Sequence, residues 1–91
     1  MDEVEFEVLD TLYFVEPYEK ILEECRQYAE PVIKDALRQL IRKRWVVAMR
    51  YDEEKRDFVR SFIYDADDMH AYHYLATKEG LLAHNGHLGN T

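Results

Sequence analysis

Apolar residues recur at helical spacing through the middle of this chain, then switch to the spacing of a strand. Residues 31–47 read PVIKDALRQLIRKRWVV. Val32, Ile33, Ala36, Leu37 and Leu40 fall on one stripe, and Lys34, Arg38 and Arg42 fall on the opposite one. The pattern predicts a helix over residues 31–43, with β-formers following from Trp45. Upstream, Phe6, Leu9, Leu12 and Tyr13 predict a first helix over residues 3–14. The alternation of Val4, Glu5, Phe6, Glu7 and Val8 competes as a strand signal, but the run continues to Tyr13 without a breaker. Pro17 fits the first position of a second helix, with Tyr18, Ile21, Leu22 and Cys25 on one stripe and an end near Gln27.

Trp45, Val46, Val47, Ala48 and Met49 read as a strand, residues 52–57 as a polar turn, and residues 58–64 as a second strand. Together they predict a β-hairpin whose connection is too long for a two-residue turn. Residues 65–68 read as a loop. Residues 71–76 are rich in aromatics and offer a third short strand, with Tyr72 and Tyr74 on one face that is either wet and open to a partner or packed under the first helix. Thr77 reads as the N-cap of a short final helix carrying Leu81 and Leu82. The expected organisation is one α+β domain over residues 1–84, followed by a flexible tail over residues 85–91.

Charge changes this picture more than composition does. Among the 91 residues 47% are apolar and 34% charged, which suits one small globular core. No apolar run approaches the ~20 residues of a membrane span. The acidic start MDEVEFEVLD is unlike a signal peptide, so a cytoplasmic location is expected, with no membrane partner. Residues 1–33 hold ten acids and two bases, residues 34–60 nine bases and five acids, and residues 61–91 four acids and one base. The net charge of −7 repels bulk DNA at long range, so nucleic acid could bind only through the basic middle third. The single cysteine, Cys25, excludes an internal disulfide, and Glu23 and Glu24 oppose a reactive thiolate.

Helix, helix, short turn, helix and β-hairpin is the order of a winged helix domain. At VIKDALRQLIRKRWV the chain resembles the winged helix-turn-helix domains of small bacterial or archaeal transcription regulators. There, paired aliphatics open the recognition helix, an Ala-Leu pair and another Leu follow, and an aliphatic pair opens the wing after a basic turn. Val32, Ile33, Ala36, Leu37, Leu40, Trp45 and Val46 hold those places here. YLATKEGLL resembles the strand-into-helix passage after the wing, through Tyr74, Leu75, Thr77 and Gly80. Two departures stand out. Arg44 replaces the usual glycine after the recognition helix, at a cost of about 1 kcal/mol if that residue takes positive φ. The groove-facing positions Glu30, Lys34, Asp35 and Arg38 include two acids.

The resemblance implies a three-helix core, a β-hairpin wing and a short C-terminal helix. It implies a DNA-binding domain in transcriptional regulation, dimeric and with weak affinity for generic duplex. Lys34, Arg38 and Arg42 would make the helix contacts and Arg56 the wing contact. A solvated helix face competes with that role for the first three, and Asp52, Glu53, Glu54 and Asp57 crowd around Arg56. The alternative is a winged-helix fold used as a protein-interaction module or homodimer, favoured by the net charge, the groove-face acids and twelve aromatic residues. No nucleophile motif or glycine-rich phosphate loop is present, so no enzyme and no cofactor are expected. His70 and His73 would point to opposite faces of a strand, His84 and His87 lie at a frayed end, and Asp65, Asp67 and Asp68 lack the spacing of a calcium loop, so no metal is expected.

Overall fold

The computed structural model describes residues 1–89, with side chains to His87. It is a small α+β domain with four helices and a four-stranded antiparallel sheet among the described residues. Helix α1, Glu3–Asp10, starts where the Asp2 carboxylate accepts the Glu5 N–H at 2.8 Å. It ends earlier than its apolar pattern predicts. The Thr11 N–H and hydroxyl both turn back onto the Val8 carbonyl, which leaves Tyr13 and Phe14 outside the helix. Strand β1, Glu16–Pro17, and helix α2, Tyr18–Glu24, follow. Pro17 is therefore not the first helical residue. Its extended backbone (φ −73, ψ 161) serves as the N-cap of α2.

Helix α3, Glu30–Arg42, lies within a residue of its expected place. It buries Ile33, Ala36, Leu37 and Leu40, but Val32 remains 45% exposed. Its end is a Schellman closure: Trp45 N–H donates to Leu40 O at 2.9 Å and Arg44 N–H to Ile41 O at 3.0 Å. The residue in the left-handed region is Arg44, at φ 64. An arginine occupies a position that favours glycine. Arg44→Gly is expected to raise unfolding stability by about 1 kcal/mol, read by urea titration. An unchanged or lowered midpoint would show that the side chain repays the strain through contacts within the domain.

Strand β2, Val46–Asp52, pairs with β3, Asp57–Arg60, and on its other side with β4, His73–Ala76. β4 pairs in turn with β1, giving the order β1-β4-β2-β3. The expected second strand is shorter than its sequence suggests, because the chain leaves β2 after Ser61. The expected third strand is preceded by a 3-10 turn at Met69–Ala71. Tyr72 and Tyr74 do not form a wet face. Tyr74 is fully buried, donates to Met69 O at 2.9 Å and meets the Tyr64 hydroxyl at 3.2 Å, while Tyr72 packs half-buried on Tyr64. Val46, Ala48, Tyr74 and Ala76 face the helices and join Val8, Leu9, Leu12, Tyr18, Ile21 and Leu37 in the core. The opposite sheet face carries Val47, Met49, His73 and Leu75, all half-buried.

Helix α4, Lys78–Gly89, begins as expected, with the Thr77 hydroxyl accepting the Gly80 N–H at 3.1 Å. It continues through most of the segment expected to be flexible, and residues 90–91 lie outside the described residues. His84, expected at a frayed end, is only 2% exposed. It stacks on Phe6 at 4.2 Å between ring centroids, its Nδ1 lies 2.8 Å from the Tyr13 hydroxyl, and its Nε2 faces the Asp10 carboxylate at 3.3 Å. A second tie secures α1. Glu5, 6% exposed, accepts from Lys43 Nζ at 2.7 Å, and that ammonium also lies 4.8 Å from the Trp45 ring centroid. No helix among the described residues is long and apolar enough to cross a membrane.

Candidate interaction surface

Helical spacing brings Lys34, Arg38 and Arg42 to one stripe of α3, as expected, but their surroundings differ. Lys34 pairs with Glu30 at 3.9 Å, one turn earlier on the same stripe. Glu30 Oε2 also accepts from the Tyr18 hydroxyl at 2.8 Å and lies 4.0 Å from His70 Nε2. The other ring nitrogen of His70 meets Glu19 at 2.8 Å, and that hydrogen bond holds the Glu19 carboxyl below its usual pKa. The N-terminal half of the stripe is thus a network of two acids, one lysine and one histidine, supplied partly by the 3-10 turn. The same excursion carries Asp65, Asp67 and Asp68, all exposed. Of the three cations of the stripe, Arg38 and Arg42 extend to solvent without an ion-pair partner among the described residues.

Arg56 lies apart from this stripe, in the turn between β2 and β3. It adopts φ 52 and is exposed, as are Glu53, Glu54 and Asp57 beside it. The Asp52 carboxylate accepts from the Glu54 and Lys55 N–H groups, so acids rather than bases organise the tip.

A different basic group gathers where α3, β2 and β3 meet. Arg44 and Arg60 line two adjoining cavities. The first, ≈ 190 Å³, is walled by Ile41, Val47, Phe62 and Tyr64 as well, and the second, ≈ 390 Å³, by Lys43, Thr77 and Glu79. Neither arginine has an ion-pair partner among the described residues. The Arg60 guanidinium lies 5.7 Å from the Phe62 ring centroid. Phe62 and its neighbour Ile63 are 90% and 80% exposed. Sequence reasoning passed over both, because FVRSFIY reads as one buried-strand run. Only the place where the chain departs from β2 decides which of its apolar residues reach the core.

Cys25 is buried, and loss of solvation, reinforced by Glu7, Glu24 and Asp10, pushes its thiol up to about 11. It is a core residue without thiolate chemistry at neutral pH. His70 and His73 are placed on separate elements, His70 against Glu19 and Tyr18 and His73 against Phe58. Compared with protein-family models, with characterised proteins and with solved structures, the chain matches none.

Proposed function

We propose that the chain is a winged-helix domain used as a protein-interaction module. The order α1, α2, α3, β2–β3 hairpin supports the fold reading, as do the buried face of α3 and the left-handed residue that closes it. One observation carries the functional reading. Phe62 and Ile63 stand side by side in solvent at the end of an edge strand, beside an arginine without an acid partner. Aromatic residues and arginine are enriched at protein interfaces and lysine is depleted, and an exposed pair of large apolar side chains marks such a site. The recognition helix is poorly suited to phosphates, because Glu30 neutralises Lys34 and the excursion sets three further acids on the domain's surface. Duplex DNA would meet carboxylates as often as cations.

Photo-crosslinking tests this reading. With benzoylphenylalanine at position 62, a native extract should yield one discrete protein adduct. That adduct should be competed away by excess unmodified domain and absent when the probe replaces Leu82 on α4. Failure to form a competed protein adduct at 62, or recovery of nucleic acid alone, sinks the module reading.

The free state of Arg38 and Arg42 favours DNA binding as a second reading. Under it, a fluorescence-anisotropy titration against genomic and random duplex at low salt gives binding that Arg38→Ala plus Arg42→Ala removes. The salt slope would fall by about 0.9 for each lost phosphate contact.

A further inference from the structure

We propose that an acidic, extended segment of a partner protein adds as a strand along the open edge of β3. Its carboxylates would lie at Arg60 and Arg44, with an apolar side chain over Phe62 and Ile63. This inference rests on the protein-interaction reading and names the partner chemistry.

The backbone supplies the first argument. β3 is the terminal strand of the sheet, so one of its edges has no neighbouring strand among the described residues. Ser61 N–H donates to Ala48 O at 2.9 Å, which fixes the parity of the ladder. Ser61, Val59 and Asp57 turn their backbone groups toward β2, while Phe58 and Arg60 turn theirs outward. The Phe58 N–H is occupied by the Asp57 carboxylate at 2.8 Å. The open groups of the strand are therefore the Phe58 carbonyl and both groups of Arg60. That row matches the alternate spacing by which an extended peptide joins a sheet edge.

Charge supplies the second argument and selects the guest. The edge is charged at both ends, around the apolar Phe58 and Val59. Its tip end carries Asp52, Glu53, Glu54 and Asp57, and its other end carries Arg60, with Arg44 across the shared cavity and Arg50 on the ≈ 490 Å³ hollow that Phe62 and Ile63 also line. Charges on an edge strand discourage indiscriminate pairing, and cations at the open end discourage every guest except one that brings carboxylates. The left-handed Arg44 fits this role, since a glycine would close the helix at lower cost but place no guanidinium at the cavity. Phe62 and Ile63 lie just beyond Arg60, where a guest strand's next apolar side chain would lose water against them.

The test uses the whole chain with two probe peptides: EVEFEV, acidic and alternating, and KVKFKV, its cationic counterpart. The acidic peptide should slow hydrogen exchange at the Arg60 amide and shift its resonance, and binding should weaken as salt rises. The cationic peptide should do neither. Arg60→Glu should weaken acidic-peptide binding by about tenfold or more. Phe62→Ser should weaken it too, and both exposed-site variants should keep the far-ultraviolet circular dichroism of the parent. Equal binding of the two peptides, or no protection of that amide, overturns strand addition. So does a homodimer in sedimentation that Arg60→Glu abolishes, because the occupant is then a second copy. A competed crosslink at position 62 with no peptide protection leaves the interaction module standing and removes only the strand-addition proposal. Absence of both removes both.

Discussion

Replacing Gly80 with alanine will cost the fold about 3 kcal/mol, against the usual gain from adding a methyl group to a helix. Gly80 is buried in the first turn of α4. A β-carbon there would fall inside van der Waals contact of the Trp45 carbonyl oxygen and press on the Trp45 carbonyl carbon and Cβ. Two of these three neighbours are backbone atoms, and three hydrogen bonds hold that backbone. Trp45 N–H donates to Leu40 O, Thr77 N–H donates to Trp45 O, and the Thr77 hydroxyl donates to Arg44 O at 2.8 Å. The junction of α3 and β2 therefore cannot yield without losing the helix closure that sets Arg44. Gly86, on the same helix, has open space where its β-carbon would lie. Gly86→Ala should raise stability by up to about 1 kcal/mol. Urea titration of the two variants reads the contrast directly. A Gly80→Ala protein as stable as the parent would mean that α4 does not seat closely on the Trp45 carbonyl.

Several of these relationships were legible before any coordinates, and the reason differs from element to element. The inner face of α3 was visible because burial repeats every three to four residues over three turns, and no other arrangement of Ile33, Ala36, Leu37 and Leu40 hides them together. Glu30 was visible as an acid on the groove-facing side, but its pairing with Lys34 needs α3 to begin one residue before the predicted helix, and its ties to Tyr18 and His70 come from other elements. Thr77 was legible from its type as a helix cap and Gly80 only through the resemblance, but the close seat of that cap on the Trp45 carbonyl lies outside their own segment. Features built by distant residues had no signal. β1 is two residues long and owes its pairing to β4. His84 is buried by Phe6 and Tyr13 from the other end of the chain, and Glu5 meets Lys43 across thirty-eight positions. Phe62 and Ile63 misled in the opposite direction. Their types say core, and nothing local reveals that β3 stops before they can reach it.

Stability should fall steeply as pH rises above about 10, because the core holds protonated groups that the unfolded chain releases. Tyr18 is fully buried, and desolvation, followed by its hydrogen bond to Glu30, pushes its phenol far above the ordinary value. Tyr74 is also fully buried and is pushed up by desolvation and then by the adjacent Tyr64 hydroxyl. Desolvation raises Tyr64, and burial takes the Cys25 thiol from 9.0 to about 11. Each shift is upward, so the folded chain binds more protons than the unfolded chain once the pH passes the ordinary values. The stabilisation is whole below those values and is lost as the pH climbs through the raised ones. Each buried phenol then contributes a slope of up to about 1.4 kcal/mol per pH unit. Urea midpoints taken from neutral to strongly alkaline pH read this slope. Tyr18→Phe and Tyr74→Phe should each flatten it. Tyr74→Phe should also cost about 1 kcal/mol at neutral pH, because it removes the buried hydroxyl that donates to the Met69 carbonyl and leaves that oxygen only the longer bond from the Tyr72 N–H. A midpoint that stays flat to high pH would show that these phenols reach water in the folded state. Tyr18→Phe additionally removes a donor from Glu30, the acid that ties Lys34 on α3, so its midpoint and its duplex titration together separate what Tyr18 does for the core from what it does for that helix face.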